Sequence, residues 1–223
     1  LVIDEDDKAY RDDLKGEALA IRGLALFDLT RIFGYPYLKD NGASLGVPII
    51  EGLSTIDSKP TRNTVAQCYT KIIDDLTQSL SLLGEKFNKG KINKWGAMVL
   101  LSRVYLYKGE NANALKMASD AITGAEKNKY ALWTNEDYPT AWGEDASASK
   151  PGEVLFEIVN LTTDSPGKES MGYLNSYDGY DDMCITCSFY QFLKEDPKDI
   201  RLKLLSFDKK YYAYVNKYQP QRE

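Results

Sequence analysis

The sequence predicts a mainly α-helical protein built from packed helix pairs, with long irregular loops and a few short strands. Three observations predict this fold class. Two segments near the start of the chain carry apolar stripes at helical spacing, and residues 93–125 read as two helices joined at Gly109. After Tyr130 the helical periodicity fades, and Gly, Ser, Pro and Tyr become frequent.

The first two helices are predicted from apolar residues that recur every three or four positions. The first helix follows the acidic opening of the chain, and the second starts at Thr64, which forms a capping box with Gln67. We expect each helix to bury its stripe against a neighbour. The stripes are Ala18, Ile21, Ala25, Leu29 and Ile32 in the first helix, and Val65, Cys68, Tyr69, Ile72, Ile73, Leu76, Leu80 and Leu83 in the second. The loop between them, residues 34–63, is expected to pack over the helices.

The third and fourth helices match the pattern of a tetratricopeptide unit. Apolar residues occupy nearly every face of the third helix between Trp95 and Tyr107, which is typical of a helix enclosed by others. Gly109 then supplies the turn. The fourth helix carries a narrow stripe of small side chains at Ala114, Ala118, Ala121 and Ala125. One such unit cannot bury its own apolar face, so we expect stacked helix pairs over residues 16–125.

Residues 126–223 are predicted to be a loop-rich region that faces a ligand. Within it, residues 153–161 are short and rich in Val, Ile and Phe, which favours a strand or an extended piece. Residues 188–194 favour a short helix. The Tyr-rich segment 211–218 favours an extended tail after the turn at Asp196 and Pro197.

Three long motifs resemble the SusD/RagB family in their order and spacing. They are EALAIRGLALFDLTRIFGYPYL at 17–38, PTRNTVAQCYTKIIDDLTQSL at 60–80 and INKWGAMVLLSRVYLYKG at 92–109. Shorter signals also fall where that family has them: EVLFEI at 153–158, DxR at 199–201 and KY at 217–218. The sequence therefore resembles a family of surface glycan-binding lipoproteins of Bacteroidetes-type bacteria over most of its length.

The resemblance implies a non-catalytic protein that binds oligo- or polysaccharides at the bacterial cell surface. Such a protein delivers its ligand to a TonB-dependent, SusC-like outer-membrane transporter and is held in the outer membrane by a lipid on an upstream Cys. Family members begin with a lipoprotein signal and an N-terminal helical region, and they continue past the KY segment into a further helix. We therefore expect residues 1–223 to form a single SusD-like domain that lacks its N-terminal and C-terminal parts.

Composition excludes several classes of function. The net charge of −5 is spread along the chain without a basic stripe, which argues against nucleic acid as a partner. The chain contains no His, so Ser-His-Asp and Cys-His nucleophile systems and His-ligated zinc sites are excluded. Cys68 lies in an apolar stripe and is expected in the core. Cys184 and Cys187 form a lone CxxC, which we interpret as structural thiols or a local disulfide. We predict no cofactor and no metal.

Aromatic residues in predicted loops are the candidate ligand-binding residues. Sugars present C–H faces edged with hydroxyls, so their sites need flat rings for the faces and polar groups for the hydroxyls. The candidates are Trp133, Tyr138, Trp142, Tyr173, Tyr177 and Tyr180, with Asn175 and Asp178 as polar partners. Two other interpretations stay open: Trp133 caps the core, and the tyrosines are hydrogen-bonded packing residues. The acidic segment 178–182 lacks the ligand spacing of an EF-hand, and we interpret it as a solvated loop.

Two alternative functions are compatible with the sequence. A helical-repeat adaptor would grip a protein or peptide on its concave face. A glycosidase would use two carboxylates and needs no His, but no pair of Asp or Glu stands out in an apolar setting.

Overall fold

The structure is a computed structural model that describes residues 5–53, 55–88, 90–142, 152–159, 163, 167–176, 179–180, 183–207 and 213–217. The chain divides into two compact units. The first unit contains Leu1–Lys129 together with Leu155–Glu157, and the second contains Tyr130–Val154 and Ile158–Glu223. The fold is mainly α-helical, as predicted.

Four long helices make up the first unit. They are α1 (Glu5–Phe33), α2 (Val65–Leu82), α3 (Lys94–Lys108) and α4 (Asn111–Lys127). Consecutive helices pack on each other, α1 on α2, α2 on α3, and α3 on α4. Gly16 of α1 lies against Leu82 and Leu83 at the end of α2, whereas Gly34 after α1 lies against Val65 at the start of α2, so α1 and α2 are antiparallel.

The predicted start and stop signals of the helices are confirmed. The Thr64 hydroxyl accepts a hydrogen bond from the Gln67 backbone N–H, and the Gln67 side chain accepts one from the Thr64 N–H, which completes the capping box of α2. Gly109 ends α3 at φ 85°, in the left-handed conformation that glycine adopts without steric cost. Ala114, Ala121 and Ala125 are buried as the small-residue stripe of α4 predicts.

The predicted buried face of α1 was wrong. Ile21 and Ile32 are 47% and 70% exposed, and Ala18, Ala25 and Leu29 are exposed as well. The face buried in α1 instead comprises Gly16, Leu19, Ala20, Gly23, Leu26, Phe27 and Thr30. The physical reason is that α1 is apolar on two sides, and the side with two glycines lets α2 approach. A Cβ added at Gly23 would lie 3.0 Å from Leu76 Cγ.

An ion pair fixes the register between α1 and α2. The Arg22 guanidinium donates two hydrogen bonds to the Asp75 carboxylate, each 2.7 Å long, and the Asp75 side chain has no solvent exposure. Lys71 Nζ lies 3.4 Å from the same carboxylate. The hydrogen bond from Arg22 to Asp75 raises the pKa of Arg22. Arg22 is therefore a structural arginine.

The loop between α1 and α2 packs over the helices, as predicted. Val47 joins the core, and Tyr37 in the 3₁₀ turn Tyr37–Lys39 packs against it. Arg62 closes the end of α1 by donating hydrogen bonds to the carbonyl oxygens of Gly46, Phe33 and Leu45, at 2.6, 3.0 and 3.0 Å respectively. Cys68 is fully buried, and its thiol donates to the Val47 carbonyl, as expected for a core cysteine.

The second unit has short elements. They are the 3₁₀ turn Gly167–Glu169, α5 (Met171–Leu174), α6 (Cys187–Lys194), the 3₁₀ segment Ile200–Leu204, and the strands β1 (Leu205–Phe207) and β2 (Ala213–Val215). The strands are antiparallel, with Ser206 opposite Tyr214. The predicted helix at 188–194 starts one residue earlier, and β2 confirms that part of the tail is extended. Cys184 and Cys187 are exposed free thiols. Of the two interpretations, free thiols or a local disulfide, the structure therefore supports the first.

A strand or an extended piece is predicted at residues 153–161; the described part, residues 153–159, contains no strand and no helix. Leu155–Glu157 belongs to the first unit, where Phe156 packs against the helical core. The apolar character of this segment therefore reflects burial against helices, not pairing in a sheet. Among the described helices, none combines the length and apolar character of a transmembrane span.

Candidate functional site

Trp133, Tyr138 and Trp142 form one cluster of rings, here called the tryptophan cluster. All three pairs of rings meet edge to face, with centroids 5.2 Å apart for Trp133 and Trp142, 5.7 Å for Tyr138 and Trp142, and 6.4 Å for Trp133 and Tyr138. Such T-shaped contacts are the favoured geometry of aromatic pairs. All three side chains are half-buried, so the cluster supports itself and still meets solvent.

A network of short-range hydrogen bonds holds the backbone of the tryptophan cluster. The Thr134 hydroxyl donates to the Asp137 carboxylate at 2.9 Å and accepts from the Asp137 N–H at 3.2 Å. The Tyr138 N–H donates to the Thr134 carbonyl, which closes a turn between the two aromatic residues. The Trp133 N–H donates to the Glu153 carboxylate at 3.2 Å. These bonds fix the backbone positions from which the Trp133 and Tyr138 side chains project.

Gly152 lies directly behind Trp133. It has φ +53°, and its carbonyl accepts a hydrogen bond from the Ala131 N–H at 3.0 Å. A Cβ added at Gly152 would lie 2.4 Å from Trp133 Nε1, which is closer than real Cβ contacts come. The position of the Trp133 ring therefore depends on the absence of a side chain at residue 152.

A charged group lies over one of these rings, and an ion pair forms elsewhere in the same unit. Lys217 Nζ lies 3.5 Å from the centroid of the Trp142 ring, a cation–π contact. Arg201, in the same unit, forms an ion pair with Asp199, with 2.5 Å between Nη2 and Oδ2. The hydrogen bond between them lowers the pKa of Asp199 and raises that of Arg201. The tryptophan cluster thus combines ring surface with charged donors and acceptors.

Tyr173 and Tyr180 form the second cluster, here called the tyrosine pair. Their rings meet edge to face with centroids 5.3 Å apart, and the Tyr180 N–H donates to the Tyr173 carbonyl at 3.1 Å. Tyr180 is 48% exposed and Tyr173 is half-buried. Asn175 directs its side-chain N–H to the Met171 carbonyl at 2.8 Å, so part of this amide serves to end α5.

The structure groups the described aromatic candidates into these two clusters, and it buries none of them completely. Tyr177 and Asp178 lie outside the described residues. Sequence reasoning missed the roles of Gly152, Arg201 and Lys217. The signals were present, because the DxR and KY segments contain Arg201 and Lys217, but nothing in the sequence connects those segments with Trp142 or Tyr138.

Described residues of the first unit line a cleft at the end of α1 and another beside Trp95. One, of ≈ 550 Å³, is mainly apolar and sits at the end of α1, lined by Leu29, Phe33, Val47, Pro48, Ile50, Pro60 and Arg62. The other, of ≈ 390 Å³, lies beside Trp95, whose indole N–H donates to the Glu85 carbonyl at 3.1 Å. Trp95 is buried against Gly124, so its ring forms a wall of this cleft and offers little face to a ligand.

The fold and these sites define the chain as a helical-repeat scaffold that carries solvent-accessible aromatic clusters in its second unit. Residues 2–106 match a SusD-like family model described as "Starch-binding associating with outer membrane". A solved structure from Bacteroides vulgatus, described as a candidate sugar-binding protein, is 80% identical over 100% of this chain and 50% of its own, with a TM-score of 0.90. No curated protein matches the chain.

Two SusD superfamily proteins of known structure are also similar. One from Bacteroides vulgatus is 40% identical over 97% of this chain and 49% of its own, with a TM-score of 0.86. Another from Bacteroides thetaiotaomicron is 40% identical over 93% of this chain and 46% of its own, with a TM-score of 0.77. The chain thus spans about half the length of these relatives. It belongs to the SusD/RagB family.

Proposed function

We propose that this protein binds glycans without catalysing their conversion, and that the loop-rich region 126–223 faces the ligand. The observation that carries the proposal is the tryptophan cluster, in which three supported rings stay accessible to solvent in a member of the SusD/RagB family. The description of the 80% identical relative as a candidate sugar-binding protein supports it, as does the description of the family model as starch-binding.

The proposed mechanism is equilibrium binding. Ring faces of the tryptophan cluster and the tyrosine pair cover the C–H faces of sugar units, which removes apolar surface from water at about 25 cal/mol per Å². Side chains such as Asn175, Asp137 and Arg201 then pair with hydroxyl groups and select among sugars. Sugars that lack a matching hydroxyl leave these polar groups unpaired, and this is the basis of selectivity.

The same proposal includes delivery to a membrane transporter. A glycan-binding protein of this family would work at the outer membrane, anchored by a lipid upstream of these residues, and would pass its ligand to a TonB-dependent, SusC-like transporter. The family description "associating with outer membrane" supports the location. Co-purification of the lipidated protein with the transporter from outer membranes tests this part separately from glycan binding.

Three described carboxylates are unsuited to the acid role that hydrolysis would need. A glycosidase needs one carboxylic acid with a raised pKa beside a carboxylate that stays ionised. Among the described carboxylates, hydrogen bonds to neighbouring groups lower the pKa values of Asp40, Glu110 and Asp199. They are therefore poor proton donors at neutral pH. Incubation with a bound oligosaccharide should leave it intact, and shorter products would overturn the non-catalytic assignment.

Isothermal titration calorimetry against a panel of oligosaccharides tests the binding proposal. We expect Trp133→Ala and Tyr138→Ala each to weaken binding of the best ligand by about tenfold or more, because each removes ring surface worth over 1 kcal/mol. Phe192→Ala is the matched control, since Phe192 is a 57% exposed ring of the same unit outside both clusters. Binding that survives the cluster variants unchanged, or a protein silent toward the whole panel, would contradict the proposal.

A further inference from the structure

The two cysteines of the CxxC segment lie on either side of a junction between strand β2 and helix α6. Ile185 pairs with Ala213 of β2 in an isolated antiparallel bridge, and the Ile185 N–H donates to the Ala213 carbonyl at 2.6 Å. Cys187 is the first residue of α6. Cys184 and Cys187 are both exposed free thiols, so the pair is open to reagents in solution.

Thr186, between Ile185 and Cys187, caps α6. Its hydroxyl accepts a hydrogen bond from the Phe189 N–H at 3.3 Å, and its backbone has φ −64° and ψ 145°. This extended conformation is typical of an N-cap residue. The first turn of α6 therefore depends on Thr186 keeping its present value of ψ.

The same dihedral angle keeps the two thiols apart. A disulfide needs Cα atoms within about 7 Å, and four consecutive residues whose ends are that close form a β-turn, in which the third residue has ψ near 0° in types I and II. Thr186 is the third residue of the segment from Cys184 to Cys187, and its ψ is 145°. With Ile185 in a β-bridge the segment is extended, and Cα atoms three residues apart in an extended chain are about 10 Å apart. Cys184 and Cys187 therefore cannot form a disulfide unless Thr186 rotates.

Both sides of the junction are anchored. Leu193 of α6 is 2% exposed, which holds the helix in the second unit, and Ile185 is held by its bridge to Ala213. A rotation at Thr186 turns one anchored side against the other. The bridge is the weaker anchor, because it is a single pair of residues outside the ladder between β1 and β2. Closing the disulfide therefore removes the cap of α6 and breaks the bridge to β2.

We propose that Cys184 and Cys187 form a redox-sensitive switch, in which oxidation to a disulfide uncaps α6 and releases Ile185 from β2. The strand β2 leads directly to Lys217, whose Nζ lies 3.5 Å from the centroid of the Trp142 ring. The switch thus acts on a strand that is continuous with the tryptophan cluster. The proposal concerns the junction itself and does not depend on glycan binding.

The oxidant is a low-molecular-weight disulfide. The thiolate of one cysteine attacks it and forms a mixed disulfide, and one small thiol is released. The second cysteine then attacks the protein sulfur of the mixed disulfide, which forms the bond between Cys184 and Cys187 and releases the second small thiol. The pair gives up two electrons and two protons, and the two small thiols carry them away.

The equilibrium between the dithiol and the disulfide tests the proposal. The whole polypeptide is equilibrated with mixtures of reduced and oxidised glutathione, and mass spectrometry of the peptide that contains both cysteines measures the oxidised fraction. We expect Thr186→Ala to raise the equilibrium constant for disulfide formation about fivefold, because its reduced form has already lost the cap. Ser170→Ala is the matched control and should leave the constant unchanged. The Ser170 hydroxyl caps α5 in the same way, by accepting a hydrogen bond from the Tyr173 N–H at 3.2 Å.

Amide hydrogen exchange followed by NMR gives a second measurement. The N–H groups of Ile185 and Phe189 should exchange about tenfold or more faster in the oxidised protein, because each loses its acceptor, whereas the Tyr173 N–H should exchange equally in both forms. Unchanged exchange at Ile185 and Phe189 in the oxidised protein would show that the disulfide forms without disturbing the junction, and would overturn the proposal. Equal equilibrium constants for the parent and Thr186→Ala would overturn it too, as would a pair that stays reduced or yields only mixed disulfides.

Discussion

At the scale of single residues, Gly152 and Gly167 offer a matched test of the tryptophan cluster. Both have positive φ, +53° and +52°, so an alanine at either position carries similar backbone strain. At Gly152 the new methyl group also meets a ring, since its Cβ would lie 2.4 Å from Trp133 Nε1, whereas no atom of the described residues lies within 4 Å of a Cβ built at Gly167. The pair therefore separates ring displacement from backbone strain.

We expect Gly152→Ala to weaken glycan binding by about tenfold and Gly167→Ala to leave it nearly unchanged, because only the first variant displaces Trp133. Calorimetry measures the affinity, and tryptophan fluorescence reports whether the environment of the indole changes. If both variants bind as well as the parent while the fluorescence of Gly152→Ala changes, Trp133 takes no part in binding.

A buried tyrosine in the helical core makes stability depend on alkaline pH. Burial raises the pKa of Tyr69 from 10.0 to about 12, because the phenolate cannot be solvated there. Below the ordinary pKa both the folded and the unfolded chain keep the proton, and the contribution of Tyr69 is fully present. As pH rises toward the folded pKa, the unfolded chain loses its proton first, so stability is lost.

We expect the free energy of unfolding of the parent to fall more steeply with pH than that of Tyr69→Phe, with a difference on the order of 2 kcal/mol by about pH 11.5. Urea unfolding at steps from about pH 9 upward measures the free energy of unfolding of both proteins. The other tyrosines are present in both, so their contributions drop out of the difference. Parallel curves for the two proteins would show that Tyr69 is solvated in the folded state.

At the scale of elements, the sequence predicts where helices begin and end better than it predicts which face of a helix is buried. The capping box of α2 and the glycine that ends α3 are properties of a few neighbouring residues, and both appear where the sequence places them. The buried face of α1 depends on which side its neighbour α2 packs against. Two apolar stripes compete on that helix, and the close approach of α2 at Gly16 and Gly23 decides between them. Periodicity alone contains no information about that choice.

In the candidate site, too, the sequence shows local features but not the contacts between distant residues. The residue types that can bind a glycan are visible in the sequence, and the structure brings three of them together within one turn-rich segment. The contact of Lys217 with Trp142 joins residues 75 positions apart, and the contact of Gly152 with Trp133 joins residues 19 positions apart. Such long-range contacts follow from tertiary packing, for which this sequence carries no local signal.

At the scale of the whole molecule, the helical unit is discontinuous in sequence. Its four helices lie within Leu1–Lys129, but Leu155–Glu157, which follows the tryptophan cluster in the sequence, also belongs to this unit. Phe156 packs against the core of the helices, and a Cβ added at Gly96 of α3 would lie 3.2 Å from the Leu155 carbonyl oxygen. We therefore expect the stability of the first unit to depend on Leu155–Glu157, which lie outside its helices in the sequence and belong to no helix or strand.

We expect Phe156→Ala to destabilise the first unit by about 2 kcal/mol, below the usual cost for a fully buried Phe because Phe156 is only partly buried. Ile158→Ala is the control, since that side chain is 82% exposed and lies two residues further on. Hydrogen exchange of α3 peptides measures the effect where it should appear, and exchange should quicken in Phe156→Ala alone. If α3 exchanges equally in both variants and the parent, Leu155–Glu157 contributes nothing to the stability of the helices. Faster exchange confined to Phe156→Ala would show that the unit needs this distant segment to reach its full stability.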